Sequence, residues 1–141
     1  MGFFTLELAR RVGASGRVVA VDVQARMLDQ LKRRAAKAGL LERVDTRLAH
    51  PDSMGLADLA GKVDFALAFA VVHEVPSNSA FFAETFAAMK PNACLQFVEP
   101  AGHVKPPLFE KELACAADAG FVLEGRPAIS HSHAARLKKP A

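Results

Sequence analysis

The chain has 141 residues, 51% of them hydrophobic and 23% charged, which is enough apolar material for one sizeable core and too much for a disordered segment. Its apolar runs are too short and too often broken by charge to cross a bilayer, and Met1 leads into an amphipathic helix, with no basic start followed by an apolar stretch. The net charge of +3 is mild, and the cluster Lys32 to Arg34 with Lys37 reads as a solvated helix face, since no aromatic residues interleave it as a nucleic-acid surface would need. Cys94 and Cys115 have no metal-ligand spacing and are expected to be buried, reduced thiols, so a cytoplasmic setting is expected.

In chain order, a first helix carries Phe4, Leu8 and Val12 on one face and stops at Gly13. Val18 to Val21 has no polar face, which predicts a buried parallel strand. It ends on Asp22, at the edge where open α/β sheets bind nucleotides. A second helix turns Met27, Leu28, Leu31, Ala35 and Ala38 inward and ends at Gly39. Val44 to Ala49 alternates as a strand near an edge does, and His50 to Gly55 is a loop. A short helix is expected over Leu56 to Gly61. Val63 to Ala70 is the longest apolar strand candidate and is therefore expected to be central, with Val71 to Pro76 as its exit loop.

A helix from about Asn78 to Met89 is followed by a turn at Lys90 to Ala93 and a strand from Cys94 to Glu99. Pro107 opens a helix to Ala119 with Phe109, Leu113 and Ala116 on one side and Gly120 at its end. Phe121 to Arg126 and His133 to Lys138 form a closing pair of strands. The alternation of strands and helices predicts a single α/β domain over residues 1–141, a three-layer Rossmann-like sandwich whose sheet is mostly parallel with a C-terminal antiparallel strand.

Five segments, in this order and spacing, carry a resemblance: Gly2-Phe-Phe-Thr5, Val18-Val-Ala-Val-Asp22, Pro51-Asp-Ser53, Val63-Asp-Phe-Ala-Leu67 with Val72-His-Glu-Val-Pro76, and Met89-Lys-Pro-Asn-Ala93. Together they resemble a class I S-adenosyl-L-methionine-dependent methyltransferase. Gly2 stands where the glycine-rich loop of that family ends, and Asn92 and Ala93 replace the glycines usual in the later turn. The first strand and most of the loop that the family carries do not precede Gly2 here. An apolar strand ending in Glu or Asp and then Gly-x-Gly, encoded upstream of Met1, would supply them.

The resemblance implies a cofactor site made of Gly2, Asp22, Val23, Asp52, Ser53 and Ala70, with Asp22 accepting from the ribose hydroxyls and Asp52 from the adenine amino group. It implies methyl transfer to a small-molecule acceptor, with His73 as a base where the acceptor is a hydroxyl. Structural readings stand beside these: a helix cap for Asp22, a turn residue for Asp52, and local packing for His73. Glu99 closes a strand and either lines the acceptor pocket or caps. His131 and His133 alternate on a strand as surface residues, and no metal site is expected.

Two other classes remain open: a non-catalytic methyltransferase-like interaction protein, and a nicotinamide-dependent oxidoreductase, against which the closing hairpin and the Lys90-Pro91 turn speak. If no strand lies between Val18–Asp22 and Val63–Ala70, those two must pair directly or meet another copy of the chain, which favours a homo-oligomer. With Gly2 alone remaining of the glycine cradle, the chain is also expected to bind the cofactor weakly.

Overall fold

The computed structural model describes residues 3–141. The chain forms two compact units, one ending at Gly55 and the other running from Leu56 to Ala141, and each is described by itself.

The first unit contains α1 (Phe3–Val12), β1 (Val18–Asp22), α2 (Ala25–Lys37) and β2 (Val44–Leu48). β1 and β2 pair in parallel from Val18 opposite Val44 to Asp22 opposite Leu48. Helix α2 presents Leu28, Leu31 and Ala35 to the core at helical spacing and its basic residues to solvent. It ends in a Schellman motif: Leu40 N–H bonds the Ala35 carbonyl, Gly39 N–H bonds that of Ala36, and Gly39 takes φ +71°. The inward face of α1 differs from expectation. Ala9 is its buried residue, and Phe4 and Val12 stay about two-fifths exposed, because positions i and i+8 diverge by about 80° around a helix axis. The Arg43 guanidinium bonds the Ala9 carbonyl at 3.1 Å.

The second unit contains β3 (Val63–Phe69), α3 (Asn78–Ala88), β4 (Met89–Pro100), α4 (Pro106–Ala119), β5 (Val122–Gly125) and β6 (Ser132–Lys138), with a one-turn 3-10 helix at Val72–Glu74. Its sheet runs β3-β4-β6-β5. β3 is parallel to β4, and β6 is antiparallel to both β4 and β5, so β6 alone points the other way. The expected mostly parallel sheet with a reversed last strand is therefore present.

β4, not β3, holds the centre. It has a ladder on each side and buries Leu95, Phe97, Val98 and Glu99, whereas β3 is bonded on one side and leaves Phe65 and Phe69 exposed. No ladder among the described residues joins β1 to β3, so the direct pairing allowed by the sequence is not formed; β1 is bonded to β2 and β3 to β4. The turn expected at Lys90 to Ala93 is a bulge inside β4. Val63 pairs with Met89 and Phe65 with Cys94, and the residues between loop out around Asn92 at φ +71°. Lys139 fastens this bulge: its carbonyl accepts from Asn92 N–H at 2.7 Å, and its ammonium bonds the carbonyls of Phe86 and Met89 at 2.8 Å each.

Helices α3 and α4 cover one face of the sheet. Their core is aromatic: Phe82 meets Phe97 edge-on at 5.4 Å, Phe97 stacks on Phe109 at 5.1 Å, and Phe86 meets Phe121 edge-on at 5.1 Å. Both cysteines are free, as expected, but only half-buried; Cys94 lies against Glu124 and Cys115 against Ser79. No helix among the described residues is long and apolar enough to cross a membrane.

Gly120 ends α4 at φ +116°, and a Cβ there would lie 2.7 Å from the Phe86 ring; at Gly39 nothing stands within 4 Å of one. Gly39→Ala should therefore lose only the left-handed penalty of about 1–2 kcal/mol, while Gly120→Ala adds an overpacking cost of about 1–3 kcal/mol. Urea denaturation of both variants checks the difference, and equal losses would mean that Phe86 yields freely.

Candidate functional site

In the first unit, Asp22 and the loop containing Asp52 leave the same edge. β1 and β2 are parallel, and the ladder continues past them with Ala49 N–H bonding the Asp22 carbonyl, so both chain exits lie at the carboxyl ends of adjacent strands. The Asp22 side chain is half-buried, and its Oδ1 accepts from Gln24 N–H at 2.8 Å. This is a capping turn into α2, whose own N-cap residue, Gln24, gives no side-chain bond. Oδ2 has no protein partner among the described residues. A carboxylate has lone pairs enough to cap through one oxygen and accept from hydroxyls with the rest. Val23, beside it, is exposed.

Asp52 is exposed at the tip of a tight turn in which His50 and Ser53 exchange backbone hydrogen bonds of 2.8 and 3.2 Å. The Ser53 hydroxyl accepts from Gly55 N–H at 3.0 Å, so it serves its own loop. Arg47 braces this segment, bonding the Gly55 carbonyl and the Asp45 carboxylate, both at 3.0 Å. Gly2 lies outside the described residues.

In the second unit, the parallel strands β3 and β4 bring together residues from their carboxyl ends. Ala70 takes φ +58°, a left-handed conformation that breaks β3, while its N–H still bonds the Val98 carbonyl. The chain then turns through Val72–Glu74 and sets His73 against the end of β4. His73 N–H donates to Glu99 Oε2 at 2.9 Å, and the ring Nδ1 lies 3.1 and 3.2 Å from the two Glu99 oxygens. A carboxylate can only accept, so Nδ1 carries a proton, and in the neutral ring the lone pair then sits on Nε2. The His73 side chain retains 18% exposure while Glu99 has none. Glu99 therefore lines no pocket; it is the buried acceptor that orients His73.

Beneath it lies a residue that the sequence reading missed. The buried stripe of α4 is Phe109, Glu112, Leu113 and Ala116, with Glu112 fully enclosed among the apolar positions. Neither Glu112 oxygen meets a donor among the described residues. Burial, then a hydrogen bond with Glu99 and the charge of that carboxylate, raise its pKa from 4.5 to about 8. These causes favour the protonated, uncharged form of Glu112 at neutral pH. The signal was present in the chain: residue 112 falls at i+3 from Phe109 and i−4 from Ala116, inside the stripe.

Two histidines complete the surroundings. His103 stacks on His73 with ring centres 6.1 Å apart. His133 lies opposite Glu99 on β6, its Nε2 3.0 Å from the Val104 carbonyl and its ring 5.3 Å from that of Phe109. It is thus packed, contrary to the surface position expected, and His131 is exposed at φ +56° in the turn before β6 instead of on the strand. No group of three or more His, Cys, Asp or Glu among the described residues could hold a metal ion.

Solved structures with this fold include a SAM-dependent methyltransferase from Aquifex aeolicus, 23% identical, with a TM-score of 0.84 over 98% of this chain and 77% of that one. A methyltransferase from Methanosarcina mazei, 19% identical, matches at 0.74 over 99% of this chain and 88% of that one. The [4+2]-cyclase SpnF, 17% identical, matches at 0.79 over 99% of this chain and 72% of that one. Among curated proteins no match was found. The methyltransferase domain model matches residues 1–92. With the sheet order, the reversed β6 and that match in agreement, the chain belongs to the methyltransferase domain family.

Proposed function

We propose that the chain transfers a methyl group from S-adenosyl-L-methionine to a small-molecule acceptor, with Asp22 holding the ribose, Asp52 the adenine, and His73 taking the acceptor's proton. One observation carries this reading within the family: Asp22, at the carboxyl end of β1, caps α2 through Oδ1 and keeps Oδ2 free of protein partners among the described residues. That acceptor fits the nucleoside end of the cofactor, since two neighbouring hydroxyls need an anionic acceptor held in place by the backbone. Exposed Val23 offers an apolar surface beside it, and Ser53 shapes the loop that presents Asp52. Ala70 turns the chain so that His73 is the fourth residue after β3.

When bound, the cofactor supplies a methyl group on a sulfonium, an electrophile that needs no further activation. The protein's part is to align an acceptor and to remove its proton. His73 suits the second task, because Glu99 holds Nδ1–H and leaves the Nε2 lone pair. A geranyl diphosphate methyltransferase, seen with its substrate and sinefungin, shares the fold at 14% identity and a TM-score of 0.76, which supports a cofactor of this kind and a small acceptor.

Asp22→Asn preserves the bond to Gln24 N–H but removes the charge, so S-adenosylhomocysteine affinity should fall by at least about tenfold, each charge-assisted bond contributing about 1.5–3 kcal/mol. Asp52→Ala should weaken binding less. Calorimetric titration of the two variants checks the order, and absence of binding by the unsubstituted chain would favour a non-catalytic module of the same fold.

His73→Gln should leave that affinity unchanged and lower methyl transfer to hydroxyl acceptors by about 10²–10⁴-fold. Single-turnover assays over a panel of small hydroxyl compounds read this directly. Undiminished transfer would remove His73 from the chemistry.

A further inference from the structure

Methyl transfer as derived above makes no use of Glu112, yet a carboxyl placed in the middle of an apolar helix stripe is costly unless something requires it. Glu112 and Glu99 are both fully buried, neither Glu112 oxygen meets a donor among the described residues, Glu99 acts on Glu112 by hydrogen bond and charge, and both oxygens of Glu99 face His73. We propose that Glu99 and Glu112 form a buried carboxyl pair sharing one proton, held on Glu112, and that Glu112 is thereby a positioning residue for His73.

Two carboxyls in contact within a dry core cannot both ionise. With the proton on Glu112, its O–H donates to Glu99, and Glu99 remains the one anionic acceptor for the His73 N–H and Nδ1–H. That arrangement uses the Glu112 O–H, while its carbonyl oxygen still meets no donor among the described residues. A second negative charge at Glu112 would draw a proton onto His73, and a doubly protonated ring has no lone pair with which to act as a base. The pair thus limits the negative charge beneath His73 to one. The other titratable groups around it are His133, across the ladder from Glu99; His103, stacked on His73; and Glu74, whose Oε1 is 3.7 Å from His73 Nε2. The hydrogen-bonded chain exists independently of catalysis; its catalytic consequence rests on His73 acting as the base.

The test uses the full chain and Glu112→Gln, whose amide N–H replaces the O–H donated to Glu99. The folded state keeps the Glu112 proton up to about pH 8, while the unfolded chain loses it from the ordinary value of 4.5. The stability Glu112 contributes is therefore complete below that value and declines through this window, so the unfolding constant of the parent should rise about tenfold per pH unit relative to Glu112→Gln, and level off above it. Histidine ¹⁵N spectra supply the second readout. His73 should be the Nδ1–H tautomer in both proteins at neutral pH, with an added inflection near pH 8 in the parent that is absent in Glu112→Gln. In Glu99→Gln the tautomer preference should be lost.

Parallel pH–stability curves for parent and Glu112→Gln, or a His73 titration identical in the two, would overturn the proposal. His73→Gln retaining full methyl transfer would instead overturn the base assignment, and would leave the tautomer and the shared proton as measured.

Discussion

The second unit depends on β4 being bonded along both edges. Parallel pairing with β3 brings two strand ends to one side, so the turn after β3 meets the last residues of β4, and His73 finds Glu99 there. Antiparallel pairing with β6 on the other edge closes the row of backbone groups and puts His133 across from the same glutamate. Alternation along β4 then does the rest. Leu95, Phe97 and Glu99 share one face, the first two packing into the aromatic core and the third falling where that core ends. A one-residue slip of this strand would send Glu99 to the opposite face and carry Val98 into its place.

A buried acid is tolerated here because of what surrounds it. An isolated carboxylate in this core would be prohibitively expensive, and a neutral acid without a partner would still forfeit a hydrogen bond. Glu99 removes the first difficulty by taking two N–H groups from His73, and Glu112 removes the second by having an acceptor already in place. Each carboxyl makes the burial of the other acceptable. The same logic explains why His73 keeps a defined ring orientation while remaining partly accessible.

Most of the fold could be read from the chain because its signals are local. Apolar runs bounded by glycines marked β1, α2 and α4, and the Gly39 and Gly120 endings are backbone geometries that a side chain resists. What escaped were properties of neighbours distant in sequence. The apolar run of β3 suggested a central strand, but centrality depends on which strands pair with it, and in its sheet β3 is an edge. The Lys90–Ala93 segment read as a turn because Pro91 and Asn92 are turn residues; that it is a bulge followed by resumed pairing depends on Val63 and Lys139. His73 and Glu99 were each noticed at strand exits, and their contact required the register of β3 on β4. Glu112 was hidden by its type: a glutamate within a helix reads as a solvent-facing residue unless its angular position among Phe109, Leu113 and Ala116 is followed.

The order of the strands has a consequence for how the chain is assembled in time. β6 follows β3, β4 and β5 in the chain, yet it lies inside their sheet, inserted between β4 and β5. Until it emerges from the ribosome, β4 and β5 have no ladder on the edges that β6 will occupy, and the ammonium of Lys139 cannot yet hold the carbonyls of Phe86 and Met89. A nascent chain arrested just before Ser132 would therefore expose one full edge of the most buried strand in the unit. Such an edge is a template for pairing with other chains, so the sheet is vulnerable in the interval between the synthesis of β5 and that of β6.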